Sequence, residues 1–126
     1  MAKKILLVED DPILGKLYQR KFQNSGFSVA TALDGQEGLV LMRTGKPDLV
    51  ILDLLMPRMD GFGFLESLAS DAEMAARKTP VIVLSNLGTD DDIRRAKELH
   101  ASDFFVKADT SLDQMVATVR GYIGKK

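Results

Sequence analysis

The stretch Leu49-Val50-Ile51-Leu52-Asp53-Leu54-Leu55-Met56-Pro57 sets an uninterrupted apolar run directly before a carboxylate that has no adjacent basic partner. Continuity of apolar residues, rather than alternation, suits a strand covered on both faces. Three more runs read the same way: Ile5-Leu6-Leu7-Val8, Val81-Ile82-Val83-Leu84 and Phe104-Phe105-Val106. A weaker run, Phe27-Ser28-Val29-Ala30, has one polar interruption and suits a strand nearer the sheet edge.

Helical periods lie between the runs. Ile13, Leu14, Leu17, Tyr18 and Phe22 recur at helical spacing behind Asp11-Pro12, a carboxylate cap followed by proline at the first helical position. Shorter candidates cover Gln36 to Arg43, Phe62 to Ala69 and Asp90 to Leu99, the last opened by Thr89 with Asp92 as a capping-box variant. Leu112, Met115, Val116, Val119, Tyr122 and Ile123 form a fifth stripe behind Asp109-Thr110-Ser111, any of which could cap it. Ser70 to Thr79 is polar and Ala-rich, and either extends the third helix or forms a loop. A strand-helix unit repeated five times predicts one α/β domain: a parallel sheet with helices on both faces.

Composition agrees with one globular domain: 126 residues, 45% hydrophobic and 28% charged. The absence of cysteine excludes thiolate zinc sites and disulfide scaffolds. With 17 basic and 18 acidic side chains spread evenly, nothing suggests a nucleic-acid-binding face. The apolar segment Ile5 to Val8 is too short for a signal-peptide core, and no run approaches a membrane span. A cytoplasmic protein is expected, with neither nucleic acid nor membrane as partner.

Ligands of an open parallel sheet bind beyond the carboxyl ends of its strands. Glu9, Asp10 and Asp11 follow the first run, Asp53 the third strand, Ser85 the fourth and Lys107 the fifth. Asp11 is most simply a helix cap and is left out of the site. Taken singly, Glu9, Asp10, Ser85 and Lys107 read as ordinary loop or strand-end residues; their convergence on one edge is what points to a site. Like charges about 4 Å apart repel by on the order of 4 kcal/mol at a surface-like dielectric, so three gathered carboxylates need neutralising. An all-oxygen set suits a hard divalent cation such as Mg2+, which keeps waters that phosphate can replace. Lys107 and the Ser85 hydroxyl suit phosphoryl oxygens, leaving Asp53 as a carboxylate nucleophile and aspartyl phosphate as the expected product.

These residues resemble the receiver domains of bacterial two-component response regulators. The resemblance runs through Ile-Leu-Leu-Val-Glu9-Asp10-Asp11, Asp53-Leu-Leu-Met-Pro57-Arg-Met-Asp60-Gly61, Val-Ile-Val-Leu-Ser85 and Asp103-Phe104-Phe105-Val106-Lys107. It covers essentially the whole chain, so residues 1–126 are expected to form one receiver domain of the single-domain, chemotaxis-regulator-like kind. It implies a flavodoxin-like three-layer sandwich whose five-stranded parallel sheet has order 2-1-3-4-5, with five helices. It further implies Asp53 as the phosphorylated residue, with Mg2+ held by Asp10, Asp53 and the Leu55 carbonyl, and by Glu9 largely through water. Ser85 corresponds to the switch hydroxyl, Lys107 to the phosphate-binding lysine and Phe104 to the aromatic switch position. The implied donor is a phosphohistidine on a sensor histidine kinase or phosphotransfer protein. The implied output is a downstream protein on the face of the fourth helix, fifth strand and fifth helix, where Arg94, Arg95 and Lys97 lie. Because the chain ends at Gly124-Lys125-Lys126, it is expected to carry no attached effector and not to be an enzyme in its own right.

Several positions depart from the family pattern. Ala108 stands where a proline in a cis peptide is usual, so the loop after Lys107 either keeps a bond that costs about 3 to 4 kcal/mol or is rebuilt in trans. The expectation is a perturbed loop that still delivers Lys107. Asn86 is bulkier than the small residues common beside the switch serine and is expected to narrow donor access. Leu55 and Leu87 are expected to slow hydrolysis of the phosphorylated form. His100 sits where the fourth helix should end, at a spot more often glycine, and reads as a helix-end surface histidine. Two rival readings stand beside the regulator. One is a receiver-fold scaffold that is not phosphorylated. The other is an aspartate-nucleophile phosphohydrolase of the haloacid dehalogenase type, which would want an acid where Leu55 stands.

Overall fold

A computed structural model describes residues 2–124. The strands β1 (Lys4–Val8), β2 (Ser28–Ala32), β3 (Leu49–Leu52), β4 (Val81–Ser85) and β5 (Asp103–Val106) form one parallel sheet in the order β2-β1-β3-β4-β5. This is the expected flavodoxin-like sandwich. The uninterrupted apolar runs follow from its two layers. Leu6, Val8, Val50, Leu52, Val81 and Val83 face one core, and Ile5, Leu7, Leu49, Ile51, Ile82 and Leu84 face the other. Both faces of β1, β3 and β4 are therefore dry, and each such side chain contributes roughly 1.5–3 kcal/mol by leaving water.

Helices α2 (Gly35–Gly45), α3 (Gly61–Ser70) and α5 (Asp90–Glu98) cover the first core with Leu39, Met42, Phe64, Leu65 and Ala96. Helices α1 (Pro12–Asn24) and α6 (Leu112–Ile123) cover the second with Tyr18, Phe22, Met115, Val116 and Val119. The caps fall as the residues ask. Asp11 accepts from the Ile13 and Leu14 amides beside Pro12, Thr89 with Asp92 closes a capping box on α5, and Ser111 with Gln114 closes one on α6.

The structure corrects the reading at four places. Six α-helices, not five, occur among the described residues, because Asp71 stops α3 with an extended backbone and caps a separate short α4 (Ala72–Arg77). Its side chain accepts from the Glu73 and Met74 amides, and Met74 plugs the first core. Strand β2 begins one residue later and ends two later than the run Phe27 to Ala30, since Phe27 is spent on the core, edge-on to Phe22 with ring centroids 6.4 Å apart. Strand β5 is half-buried rather than covered on both faces, being the outer strand. On α1 the buried line is Gly15, Tyr18 and Phe22, whereas Ile13 is 80% exposed. No described helix is long and apolar enough to cross a membrane.

Candidate functional site

The order of the strands brings the ends of β1, β3, β4 and β5 side by side at one edge of the sheet. The Asp53 amide donates to the Val8 carbonyl at 3.0 Å, carrying the β1-β3 pairing one residue beyond the strand and fixing where Asp53 leaves the sheet. Glu9, one residue past β1, is similarly tied by its amide to the Ala32 carbonyl at 2.9 Å.

Carboxylate oxygens of Glu9, Asp10 and Asp53 all lie within 4.8 Å of one another. Glu9 and Asp53 are buried, 3% and 7% exposed, while Asp10 lies on the open side. Lys107 reaches in from the end of β5. Its Nζ donates to Glu9 Oε1 at 2.6 Å and to Asp53 Oδ2 at 3.0 Å, with the side chain 10% exposed. The other oxygen, Asp53 Oδ1, accepts from the Leu55 amide at 3.3 Å.

Electrostatics follow from this enclosure. Burial pushes the Glu9 carboxyl above the ordinary carboxylate range, offset in part by the Lys107 ammonium and the Asp11 amide. For Lys107, burial opposes the charge. Its hydrogen bonds and attraction to Glu9 and Asp53 outweigh that, and the amine is held above its usual value. One ammonium faces three carboxylates, which leaves excess negative charge in a partly dry crevice. A compact all-oxygen donor set with such an excess fits a hard divalent cation of the Mg2+ type.

Two further predicted residues lie outside the acidic cluster. Ser85 ends β4 fully buried, and its Oγ accepts from the Leu87 amide at 3.2 Å, which keeps its own proton available to donate. Phe104 on β5 is half-buried and packs against the first core. Leu55 is 57% exposed two residues beyond Asp53.

The loop after Lys107 is rebuilt. No cis peptide occurs among the described residues, and Lys107–Asp109 forms a single 3-10 turn. The Ala108 amide donates to Asn86 Oδ1 at 3.1 Å, and Thr110 returns its hydroxyl to the Val106 carbonyl at 2.8 Å. The lysine is delivered as expected, but Asn86 does something the sequence reading did not give it, accepting a hydrogen bond from across the neighbouring loop. The missed signal was the combination: an alanine in place of proline leaves an amide that needs an acceptor. Gly61 carries a packing constraint that its place in the motif does not reveal. A Cβ there would sit 2.5 Å from the Asp53 carbonyl oxygen and 2.7 Å from Leu54 Cα, so only glycine lets α3 start against the backbone of Asp53 and Leu54. His100 is exposed at φ 72° just past α5, its amide on the Lys97 carbonyl, a left-handed helix end of the kind glycine often fills.

Residues 5–120 match the family model of the response regulator receiver domain. The chain is 36% identical over 107 residues to the alkaline phosphatase synthesis transcriptional regulatory protein PhoP of Bacillus subtilis, covering 85% of this chain and 43% of that protein. It is 32% identical over 120 residues to the DNA-binding dual master transcriptional regulator RpaA of Synechocystis sp., covering 95% of this chain and 48% of that one. The chain thus spans less than half the length of these relatives. Among solved structures it is similar to the receiver domain of the Francisella response regulator 1452, with a TM-score of 0.84, 28% identity and 95% of each chain covered. With its fold, its strand-end acids and this match over nearly its full length, the chain belongs to the response regulator receiver family.

Proposed function

We propose that this protein accepts a phosphoryl group on Asp53 from a phosphohistidine of a sensor histidine kinase or phosphotransfer protein, and that the modification switches a protein-binding face. The observation that carries this reading is the Lys107 ammonium bridging Glu9 and Asp53 inside a cluster of three carboxylates. Glu9, Asp10, Asp53 and the Leu55 carbonyl would hold Mg2+. When bound, the cation supplies charge neutralisation for the incoming phosphoryl oxygens.

The chain's own residues account for the rest. Asp53 Oδ2 attacks phosphorus, and the phosphorus–nitrogen bond breaks with its electron pair going to the departing imidazole. Lys107 exchanges its contact with Asp53 Oδ2 for a phosphoryl oxygen. Ser85 turns from the Leu87 amide and donates its proton to another. To invert a population from 1:99 to 99:1 requires about 5.5 kcal/mol of differential binding. Two charge-assisted contacts at roughly 1.5–3 kcal/mol each are of that order. Movement of Ser85 leaves space into which Phe104 rotates, passing the change to the face made by α5, β5 and α6.

On that face Arg94 pairs with Asp91, Arg95 lies over the Phe62 ring at 4.1 Å, and the Tyr122 hydroxyl donates to the Ser102 carbonyl at 3.1 Å. A rearrangement of α5 therefore changes which charged groups a protein target meets. The exposed side chain of Leu55 beside the crevice shields the acyl phosphate from water and lengthens its lifetime.

The test is incubation with Mg2+ and a small acyl phosphate followed by intact mass. The wild type gains one phosphoryl group and Asp53→Asn gains none. No gain in the wild type supports the scaffold reading, and continuous turnover of the acyl phosphate supports the hydrolase.

A further inference from the structure

The turn that carries Lys107 begins without a side-chain cap of its own, because the residue preceding it is Val106. Amides at a helical start need acceptors from elsewhere. The Ala108 amide finds one across a loop boundary at Asn86 Oδ1, 3.1 Å away. Proline at 108 would have no N–H to give, so Ala108 creates the demand that Asn86 meets. The two loops are already pressed together, since Ser85 registers with Val106 and a Cβ on Gly88 would lie 2.8 Å from Val106 Cγ2. Asn86 directly follows Ser85 and grips the residue that directly follows Lys107.

We infer that Asn86 is a positioning residue for phosphoryl transfer. It holds the Lys107 turn through the Ala108 amide, so that the amine stays over Asp53. Asn86 touches no reacting atom and acts through Lys107. The inference rests on the reading of Asp53 as phosphoacceptor.

The experiment is a double-mutant cycle of Asn86→Leu, which keeps the size but removes the acceptor, and Ala108→Pro, which removes the donor. Initial phosphorylation by an acyl phosphate is followed across Mg2+ concentration, and exchange of the Ala108 amide with solvent is followed in parallel. In the otherwise wild-type chain, Asn86→Leu lowers the maximal rate by about 3- to 10-fold, the size of one hydrogen bond. The maximal rate is compared at saturating Mg2+, because Lys107 shares Glu9 and Asp53 with the proposed cation site. In the Ala108→Pro chain the same substitution has no further effect. Amide exchange at Ala108 speeds up by a similar factor in Asn86→Leu and stays slow in Asn86→Asp, whose carboxylate still accepts.

An unchanged rate in Asn86→Leu, or an undiminished effect in the proline background, overturns the inference. Should the wild type gain no phosphoryl group, the Asp53 reading has failed. Asn86 is then judged on exchange alone, and exchange at Ala108 that ignores the substitution overturns its assigned hold on the turn.

Discussion

Two loops bring the opposing charges of the crevice together, and they are built differently. The loop from Asp53 to Asp60 is locked by close backbone approach. The Gly61 amide donates to the Leu54 carbonyl at 3.0 Å and the Gly35 amide to the Met59 carbonyl at 2.9 Å, while Arg58 Nε meets the buried Asp34 at 2.7 Å. The turn Lys107–Asp109 is held mainly by hydrogen bonds at or near the surface, from Ala108 to Asn86 and from Thr110 to Val106 and Lys107. Asp53, the proposed phosphoacceptor, is fixed against backbone. Lys107, which in the proposed reaction exchanges Asp53 for a phosphoryl oxygen, is on an adjustable turn. Backbone contacts less than van der Waals distance from a missing Cβ cannot yield, whereas exposed hydrogen bonds exchange readily with water.

The largest expected effect comes from breaking the charge balance between the two loops. Lys107→Met leaves Glu9 and Asp53 facing each other without a buried counter-ion and costs about 3 kcal/mol in urea unfolding with chelator present. Excess Mg2+ recovers part of the loss. The pH sign is definite. The Lys107 amine is held above 10.5, so its stabilising contribution is complete through the neutral range and is lost as pH rises through the raised value. The Glu9 carboxyl is also raised, so its ionisation opposes folding at neutral pH, and that penalty disappears as pH falls through its folded value. The deficit of Lys107→Met therefore shrinks on mild acidification, as Glu9 takes up a proton. A deficit that instead grows would show that the amine is not the counter-charge of this pair.

Next is the rigid loop itself. Gly61→Ala drives a methyl into the Asp53 carbonyl and should cost about 1–3 kcal/mol in thermal unfolding, while also slowing phosphorylation because the nucleophile's backbone must shift. A variant as stable and as reactive as wild type would erase the contrast between the loops.

The smallest effect is at the rim. The Asp34 carboxyl is held low by the Glu37 amide and then by Arg58, so its contribution is present above the ordinary 3.8 and is lost as pH falls through its folded value. Because Arg58 is largely exposed, Arg58→Leu should cost under about 1 kcal/mol. The difference in Tm from wild type stays constant above the ordinary 3.8 and narrows only as pH falls below it, through the lowered folded value at which Asp34 takes up its proton. A difference that is flat with pH would assign the loss to packing instead of charge.

Much of this architecture was legible in the residues. Continuous apolar runs at 5–8, 49–52 and 81–84 are what strands between two helical layers require, and they formed strands buried on both faces. The interrupted run at 27–30 pointed rightly to an edge strand though its bounds shifted, whereas the outer place of β5 is set by sheet order, which its own residues do not carry. Phe27 looked like strand and served as core, and Phe104-Phe105-Val106 looked buried and became half-exposed. Helix α4 was ambiguous because its capping residue, Asp71, sits inside a stretch whose composition also suits a continued α3. The site was legible by type and not by partner. Acids at strand ends announce a crevice, but that Lys107 divides itself between Glu9 and Asp53, and that Asn86 serves Ala108, depends on distances between segments far apart in sequence.

The central claim is that, among the acids brought together here, Asp53 is the one whose oxygen attacks phosphorus. Reduction of the acyl-phosphate-treated protein with borohydride, which converts an aspartyl phosphate to homoserine, followed by peptide mapping, locates the modified residue directly. The account predicts homoserine at position 53 alone, dependent on Mg2+. Homoserine at position 10, or an unmodified residue 53 in protein that carries the phosphoryl mass, would contradict it.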